Sequence, residues 1–343
     1  MMSRQLRFAF AAALLIPACG GSQNPPAEPP PPPPPPAAAA PAGSATPAAQ
    51  VSATSAPAAT GTAKSEPAPA TTPKPAVRFT GAFATPESVF YDEAADRYLV
   101  SNVNGKPYEA DGNGFISVLS PDGTVTTPKW IAGGVKKAKL DAPKGMGIAQ
   151  GILYVADITV VRRFDAKDGT PKGDIPIEGS TFLNDISTTP DGRVYVSDSG
   201  LKGGATGLEP NGTDAVYLIE KGKPRAISKM KDLGNPNGLL ATDTGVLVVT
   251  FGTGELYRLD NEGKRKDITP IPEGMLDGIV ALEDSLLISS WKASAIYRGK
   301  LHGNFEVVVP NVKAPADIGF DKKRSRVLVP RFTEDVVEAY DLK

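Results

Sequence analysis

Beyond residue 75 the chain is a succession of short apolar-alternating runs, each bounded by Gly, Pro, Asp or Asn, the period-two pattern of half-buried strands. Six of these runs share a turn followed by an apolar stretch. They are anchored at Pro86, Pro143, Leu183, Pro236, Leu276 and Pro315, spaced 57, 40, 53, 40 and 39 residues apart. A repeat of about 40 to 45 residues is that of a four-stranded propeller blade. Each anchor is followed by a second alternating strand: Arg97 to Asn102, Gly151 to Ile158, Gly192 to Ser199, Gly245 to Gly252, Ser285 to Trp291 and Ser325 to Phe332. A third strand follows, as in Phe115 to Leu119 or Val336 to Asp341, and most repeats show a fourth, as in Lys266 to Ile271. The sixth repeat runs out after its third strand, whereas Val77 to Glu87 matches Phe305 to Ala316 in kind. The pattern predicts an all-β, six-bladed β-propeller whose N-terminal strand completes the last blade and leaves no open edge. An all-β sandwich with coincidental repeats is the competing reading.

Ahead of residue 76 the alternation disappears. Residues 20 to 75 hold 17 of the 34 prolines and no aromatic residue, too little apolar surface to offset the entropy of ordering. This stretch, 19–75, is expected to be a disordered tether, with prolines 29 to 36 forming a polyproline II rod. A Pro-rich motif for a partner is the alternative. The first residues combine Arg4 and Arg7 with an apolar run from Phe8 to Ile16, the proportions of a secretory signal peptide. Ile16-Pro17-Ala18-Cys19-Gly20 resembles the lipobox of bacterial lipoproteins, which implies a signal peptide at 1–18 and a lipidated Cys19. Gly20 in place of Asp points to the outer rather than the inner membrane. An ordinary cleaved signal with an incidental Cys is the rival. The propeller would then occupy 76–343, held to the cell envelope as a monomer.

Composition narrows the chemistry. A net charge of −1 and a pI near 6.0 leave no electrostatic footprint for nucleic acid. One Cys excludes a disulfide framework and any multi-Cys zinc or iron–sulfur site, and one His, His302, excludes mechanisms that need two. His302 falls between the third and fourth strands of blade five, on the rim opposite the anchors, which disfavours a Ser-His-Asp triad.

The first strand of a propeller blade lines the central channel, so the residue after each anchor forms a ring: Glu87, Lys144, Asn184, Asn237, Asp277 and Ala316. Glu87, Asn184, Asn237 and Asp277 offer carboxylate and amide oxygens, hard donors suited to Ca²⁺, Mg²⁺ or Mn²⁺. Two carboxylates held close repel, so one protonates or a cation intervenes. The plain alternative is a wet channel whose Asn, Asp and Gly only serve turns. A third possibility is a metal-free, salt-bridged channel, with the Lys144 ammonium reaching Glu87 or Asp277. The two longest repeats place extra residues in the links Val103 to Gly114 and Gly200 to Asp214, expected to lie as lids over the channel mouth. Trp130 and Trp291 are expected to pack between blades.

This arrangement resembles the SMP-30/gluconolactonase family of six-bladed propellers over nearly all of residues 76–343. The shared features are a Glu opening blade one (Glu87), Asn184-Asp185 on blade three, Asn237-Gly238 on blade four and Asp277-Gly278 on blade five. The resemblance implies Glu87, Asn237 and Asp277 as metal ligands, with Asn184 and Asp185 contacting metal water or substrate; Phe182 and Lys144, beside these positions in the sequence pattern, are expected to contact the substrate. It implies a divalent metal, Ca²⁺ ahead of Mg²⁺, Mn²⁺ or Zn²⁺, that polarises a lactone carbonyl, and Asp277 as general base. The chain departs from the family in three places. Phe182 stands where the sugar-lactone hydrolases carry an Arg, and an apolar ring cannot supply an Arg's paired hydrogen bonds. Glu87 is followed by Ser-Val-Phe-Tyr instead of Gly-Pro and an aromatic, and Lys144 enters the ring. Two functions stay open: an envelope-anchored, divalent-metal-dependent hydrolase of a lactone or cyclic ester, and a non-catalytic propeller that binds a protein or glycan partner at its rim.

Overall fold

The computed structural model describes residues 73 to 342; the expected signal peptide, Cys19 and nearly all of the tether lie outside the described residues. Among the described residues every regular element is a strand. Six four-stranded antiparallel sheets follow one another along the chain, and a two-stranded hairpin, Leu201–Gly204 with Gly207–Pro210, is inserted in the third. The innermost strands are Pro86–Asp92, Pro143–Ala149, Leu183–Thr188, Pro236–Thr242, Leu276–Ala281 and Gly319–Asp321. Local turn chemistry sets the hairpins between the third and fourth strands of a blade, as in blades one and two. The Asp122 carboxylate accepts the Thr124 N–H at 3.0 Å and that of Asp168 accepts the Thr170 N–H at 2.8 Å, while Gly123 and Gly169 take the positive φ each turn needs.

The ring closes as the pattern predicts. Val77–Phe79 is the outer strand of blade six, with Val77 opposite Ala339 and Phe79 opposite Val337, and the Ala76 N–H extends the ladder to the Ala339 carbonyl. The core consists of six apolar clusters, one at each contact between neighbouring blades. The cluster between blades six and one joins Phe79, Leu328 and Val337 to Val89, Tyr98 and Leu119, so closure is held by packing as well as by pairing.

One irregularity recurs and positions the channel. In five innermost strands the pairing register shifts at the ring residue: between Pro86 and Ser88, Pro143 and Met146, Leu183 and Ile186, Pro236 and Leu239, and Leu276 and Ile279. A bulge leaves a backbone group unpaired and re-aims a side chain. Serines on the second strands take up the freed groups. Ser101 Oγ accepts the Ser88 N–H at 2.9 Å, and Ser197 and Ser289 accept those of Asp185 and Gly278 at 2.8 Å. The Ser197 and Ser289 hydroxyls also donate to the Asn237 and Ala316 carbonyls of the next blade, at 2.7 and 2.8 Å, stitching each bulge to its neighbour.

Candidate functional site

At one end of the channel lies a cavity of about 330 Å³ lined by Glu87, Lys144, Phe182, Asn184, Asn237 and Asp277 together with a wall of apolar side chains. Six of the sequence-predicted site residues thus share one cavity. Asp185 does not line it. Its carboxylate accepts the Ile186 and Leu239 N–H groups, each at 2.6 Å, and borders a second cavity of about 620 Å³ lined by the opposite ends of the inner strands. The segments leading into the ring are pinned from the second strands. Asp157 accepts the Asp141 and Ala142 N–H groups, and Asp198 accepts those of Thr181, Phe182 and Gly200. Thr85, Asn235, Met275 and Ala314, each immediately before an anchor, adopt left-handed φ values of 45 to 57°, a conformation that non-glycine residues rarely hold without surrounding constraint.

The polar floor is deeply buried: Glu87 is 5% exposed, Lys144 1%, Asn237 3% and Asp277 3%. Three of its oxygens, Glu87 Oε2, Asn237 Oδ1 and Asp277 Oδ1, have no hydrogen-bond partner. The second Asp277 oxygen accepts the Trp291 indole N–H at 2.7 Å. Asn184 gives its amide N–H to Ser199 Oγ at 3.0 Å, which leaves its carbonyl oxygen as the group available to the cavity. Orphaned buried acceptors are rare in folded proteins and cost on the order of 1 to 3 kcal/mol each. Their presence in a trio fits a cation site. Among the described residues no three His, Cys, Asp or Glu side chains converge as metal ligands, so a cation here would rest on two carboxylates and neutral amide oxygens. That all-oxygen set suits Ca²⁺, Mg²⁺ or Mn²⁺ and lacks the nitrogen or sulfur donors typical of Zn²⁺.

Electrostatics of the channel point the same way. Burial pushes the Asp277 carboxyl up to about 8 against the opposing Trp291 bond, and raises Asp185 to about 6. Glu87 is held well above the usual carboxyl range by burial, reinforced by Asp277 and Asp317. Asp317, whose carboxylate accepts the Ser88 hydroxyl at 2.5 Å, is likewise raised by burial and by Asp185. The salt bridge that Lys144 could have made with Glu87 or Asp277 is not formed. Its ammonium donates to the Ala142 carbonyl at 3.1 Å and sits 4.4 Å from the centre of the Phe182 ring, and burial lowers its pKa against the pull of Glu87 and Asp157. Among the described residues, the buried carboxyls of Glu87, Asp185, Asp277 and Asp317 therefore share the channel with the Lys144 amine, whose hydrogen bond goes to a backbone carbonyl. A buried ammonium near the floor opposes a divalent cation, so Lys144→Met is expected to tighten Ca²⁺ binding by about tenfold. Calorimetric titration of both forms checks this; unchanged affinity would remove Lys144 from the electrostatics of the site.

Sequence reasoning missed two parts of this site. Asp317 follows the ring position in blade six, and its signal was the recurrence of Asp-Ile in Asn184-Asp185-Ile186 and Ala316-Asp317-Ile318. The second part is the aromatic wall. Phe251, Trp291 and Phe332 occupy one repeat position, directly after the second strand of blades four, five and six. Phe251 meets Trp291 edge-on at 5.8 Å, and Trp291 meets Phe332 at 5.1 Å. Trp291 thus belongs to the mouth, whereas Trp130 packs under Arg97 and against Gly169 between blades one and two. The two long links reach the mouth as expected: Lys106, Pro107 and Tyr108 from blade one, and Leu201, Gly207 and Leu208 from the hairpin of blade three. They touch each other, because a side chain at Gly203 would collide with the Tyr108 ring. His302 is exposed on the far rim, 3.5 Å from Asp267.

Comparison with known proteins finds similarity in structure alone; no protein-family model and no curated relative matches the chain. A gluconolactonase from Xanthomonas campestris superposes with a TM-score of 0.57 at 18% identity, covering 76% of this chain and 87% of that one. A luciferin-regenerating enzyme superposes at 0.54 and 14% identity, covering 76% and 93%. Virginiamycin B lyase from Staphylococcus aureus, solved with quinupristin, superposes at 0.51 and 16% identity, covering 77% and 97%. The three share the propeller and differ in chemistry, so the fold leaves the reaction to be argued from the site.

Proposed function

We propose that this chain is a lipid-anchored envelope propeller that hydrolyses a lactone or other cyclic ester with the aid of a divalent cation held by Glu87, Asn237 and Asp277. The observation that carries the reading is the trio of buried, unpartnered oxygens on those three residues beneath an open cavity. Bound there, the cation supplies a Lewis acid for the substrate carbonyl. Trp291 fixes one Asp277 oxygen, so the other is aimed without freedom to rotate away. It takes a proton from the attacking water as the water oxygen bonds to the carbonyl carbon. The ring C–O bond then breaks and the departing alkoxide takes the proton that Asp277 had accepted, giving a hydroxy acid and restoring the carboxylate. The aromatic wall excludes bulk water from the floor, which strengthens each electrostatic contact there. Similarity to a gluconolactonase supports the reaction class, and the lipobox-like stretch ending at Cys19 supports the anchor. A second reading, a non-catalytic propeller presenting its rim to a protein or glycan, is favoured by the buried Lys144 in the ring.

Elemental analysis of the purified protein, followed by lactone hydrolysis with and without chelator, separates the two. Stoichiometric divalent metal and chelator-sensitive turnover are expected. No metal and no turnover above the chelated control would end the hydrolase reading.

The channel carboxyls also set a pH signature. Their folded pKa values lie above the unfolded ones, so between the ordinary 3.8 and about 8 the folded state of the stripped protein binds more protons than the unfolded chain. Stability is therefore full below the unfolded pKa and falls as pH rises toward 8. Asp96 and Asp191, held low by Arg324 and Thr189, act only below the ordinary carboxyl range and leave this window clear. In chelator the melting temperature is expected to fall from pH 5 to pH 8, and saturating Ca²⁺ is expected to remove most of that slope. A flat profile in chelator would contradict the buried-carboxyl account.

A further inference from the structure

We infer that the mouth selects an apolar cyclic ester, of the aryl-lactone class, over polyhydroxylated sugar lactones; this rests on the hydrolase reading for its chemistry but not for its binding. Above the polar floor the cavity is walled by Phe182, Phe251, Trp291 and Phe332, with Leu201 and Leu208 contributed by the hairpin lid. Three side-chain donors around that wall already have partners, and the Tyr108 hydroxyl is a further polar group in the lid. The Trp291 N–H is given to Asp277, the Lys106 ammonium to Glu109 and the Lys144 ammonium to Ala142. The unpartnered oxygens lie on the floor, where the proposed cation would take them.

A sugar lactone entering this mouth would surrender the hydration of several hydroxyls and find apolar faces in return, an uncompensated loss at each one. A flat aromatic ring fused to the lactone meets the opposite situation. Phe251, Trp291 and Phe332 form a contiguous surface of tilted and edge-on rings, a geometry that accepts a further aromatic ring at its face or edge. At about 330 Å³ the cavity sits at the small end of the range of ligand pockets, which fits a bicyclic molecule better than a long chain. Tyr108 and the hairpin bearing Leu208 touch across the mouth, so the lid completes the enclosure with the Tyr108 ring and the Leu208 side chain.

The test separates binding from turnover by using lactams, which keep the ring and carbonyl and resist hydrolysis. The full-length protein in detergent, loaded with Ca²⁺, is titrated with 3,4-dihydroquinolin-2-one and with gluconolactam, read by calorimetry and by tryptophan fluorescence. The bicyclic lactam is expected to bind at least about tenfold more tightly. Phe251→Ser combined with Phe332→Ser should weaken it by about tenfold with Ca²⁺ affinity retained. Leu208→Ser, at a side chain 42% exposed on the hairpin and so harmless to folding, should weaken it by about threefold. Equal or tighter binding of gluconolactam, or indifference of the bicyclic lactam to both variants, overturns the inference. The parallel rates on dihydrocoumarin and glucono-1,5-lactone report on the chemistry. Selective lactam binding with neither lactone hydrolysed sinks the hydrolase reading and leaves the apolar preference standing. Faster turnover of the sugar lactone does the reverse.

Discussion

Asp277→Asn is expected to lower lactone hydrolysis by roughly three orders of magnitude while raising the melting temperature of the metal-free protein, two effects of opposite sign from one change. The substitution preserves shape, and the Asn carbonyl can still accept the Trp291 N–H that Asp277 accepts at 2.7 Å. What disappears is the charge. Without it the proposed general base cannot take a proton and the cation loses one of two anionic ligands, so Ca²⁺ affinity should fall alongside the rate. Stability moves the other way. The native carboxyl is 3% exposed and burial lifts its pKa to about 8, which means the fold works against ionising it at neutral pH. A neutral amide carries no such charge-burial cost. Initial rates with saturating Ca²⁺ and thermal melts in chelator, on the same two proteins, measure both halves. Activity within tenfold of the parent would remove Asp277 from the chemistry. A lower melting temperature in chelator would show that the carboxylate has a stabilising partner in the folded chain.

The architecture was legible because the signals that specify a propeller are local and repeated. An anchor and an alternating second strand recur six times, Asp-Gly turns mark the first three repeats, and the missing strand of the last repeat is present at the other end of the domain. The ring residues were legible for the same reason, since each occupies a fixed offset from its anchor. What the sequence concealed was direction. A bulge at five of the six ring positions decides which side chains face the mouth and which face away. Asn184 and Asp185 are adjacent in sequence yet border different cavities. The Lys144 ammonium was open to pairing with Glu87 or Asp277 by sequence, but bonds a carbonyl two residues before it and rests on Phe182, a choice set by side-chain packing that spacing cannot express. The aromatic wall was readable in principle, as three aromatic residues at one repeat position. It falls at the ends of the second strands, where Val103, Ile158 and Ser199 stand in the first three blades and dilute the pattern.

A chain beginning at residue 80 is expected to be less stable than one beginning at Lys74 by roughly 5 kcal/mol, whereas the chain from Lys74 should melt with the full-length protein. Three residues are responsible. Phe79 is 1% exposed, packs edge-on against Tyr98 at 6.2 Å and belongs to the cluster that joins blade six to blade one. Removing a buried Phe side chain typically costs about 3 to 5 kcal/mol. Arg78 forms an ion pair with Glu338, a carboxylate 2% exposed that would keep Arg331 at 3.2 Å and the Tyr340 hydroxyl at 2.6 Å. That pair adds little, because a second cation remains and Arg78 is itself half exposed. The backbone contribution is the ladder from Val77 to Phe79, whose loss uncovers the edge of Val336–Asp341. A destabilisation of this size is a large fraction of the total for a single domain and corresponds to a fall of about 10 to 20 °C in melting temperature. An uncovered edge also invites pairing with a second chain, so the shortened protein should sediment with a larger share of associated species than the parent. Phe79→Ala in the full-length chain isolates the side chain and should account for more than half of the loss without creating the open edge. Coincident melting of the chains beginning at Lys74 and at residue 80 would show that the blade contacts alone hold the ring closed and that the N-terminal strand contributes no measurable stability.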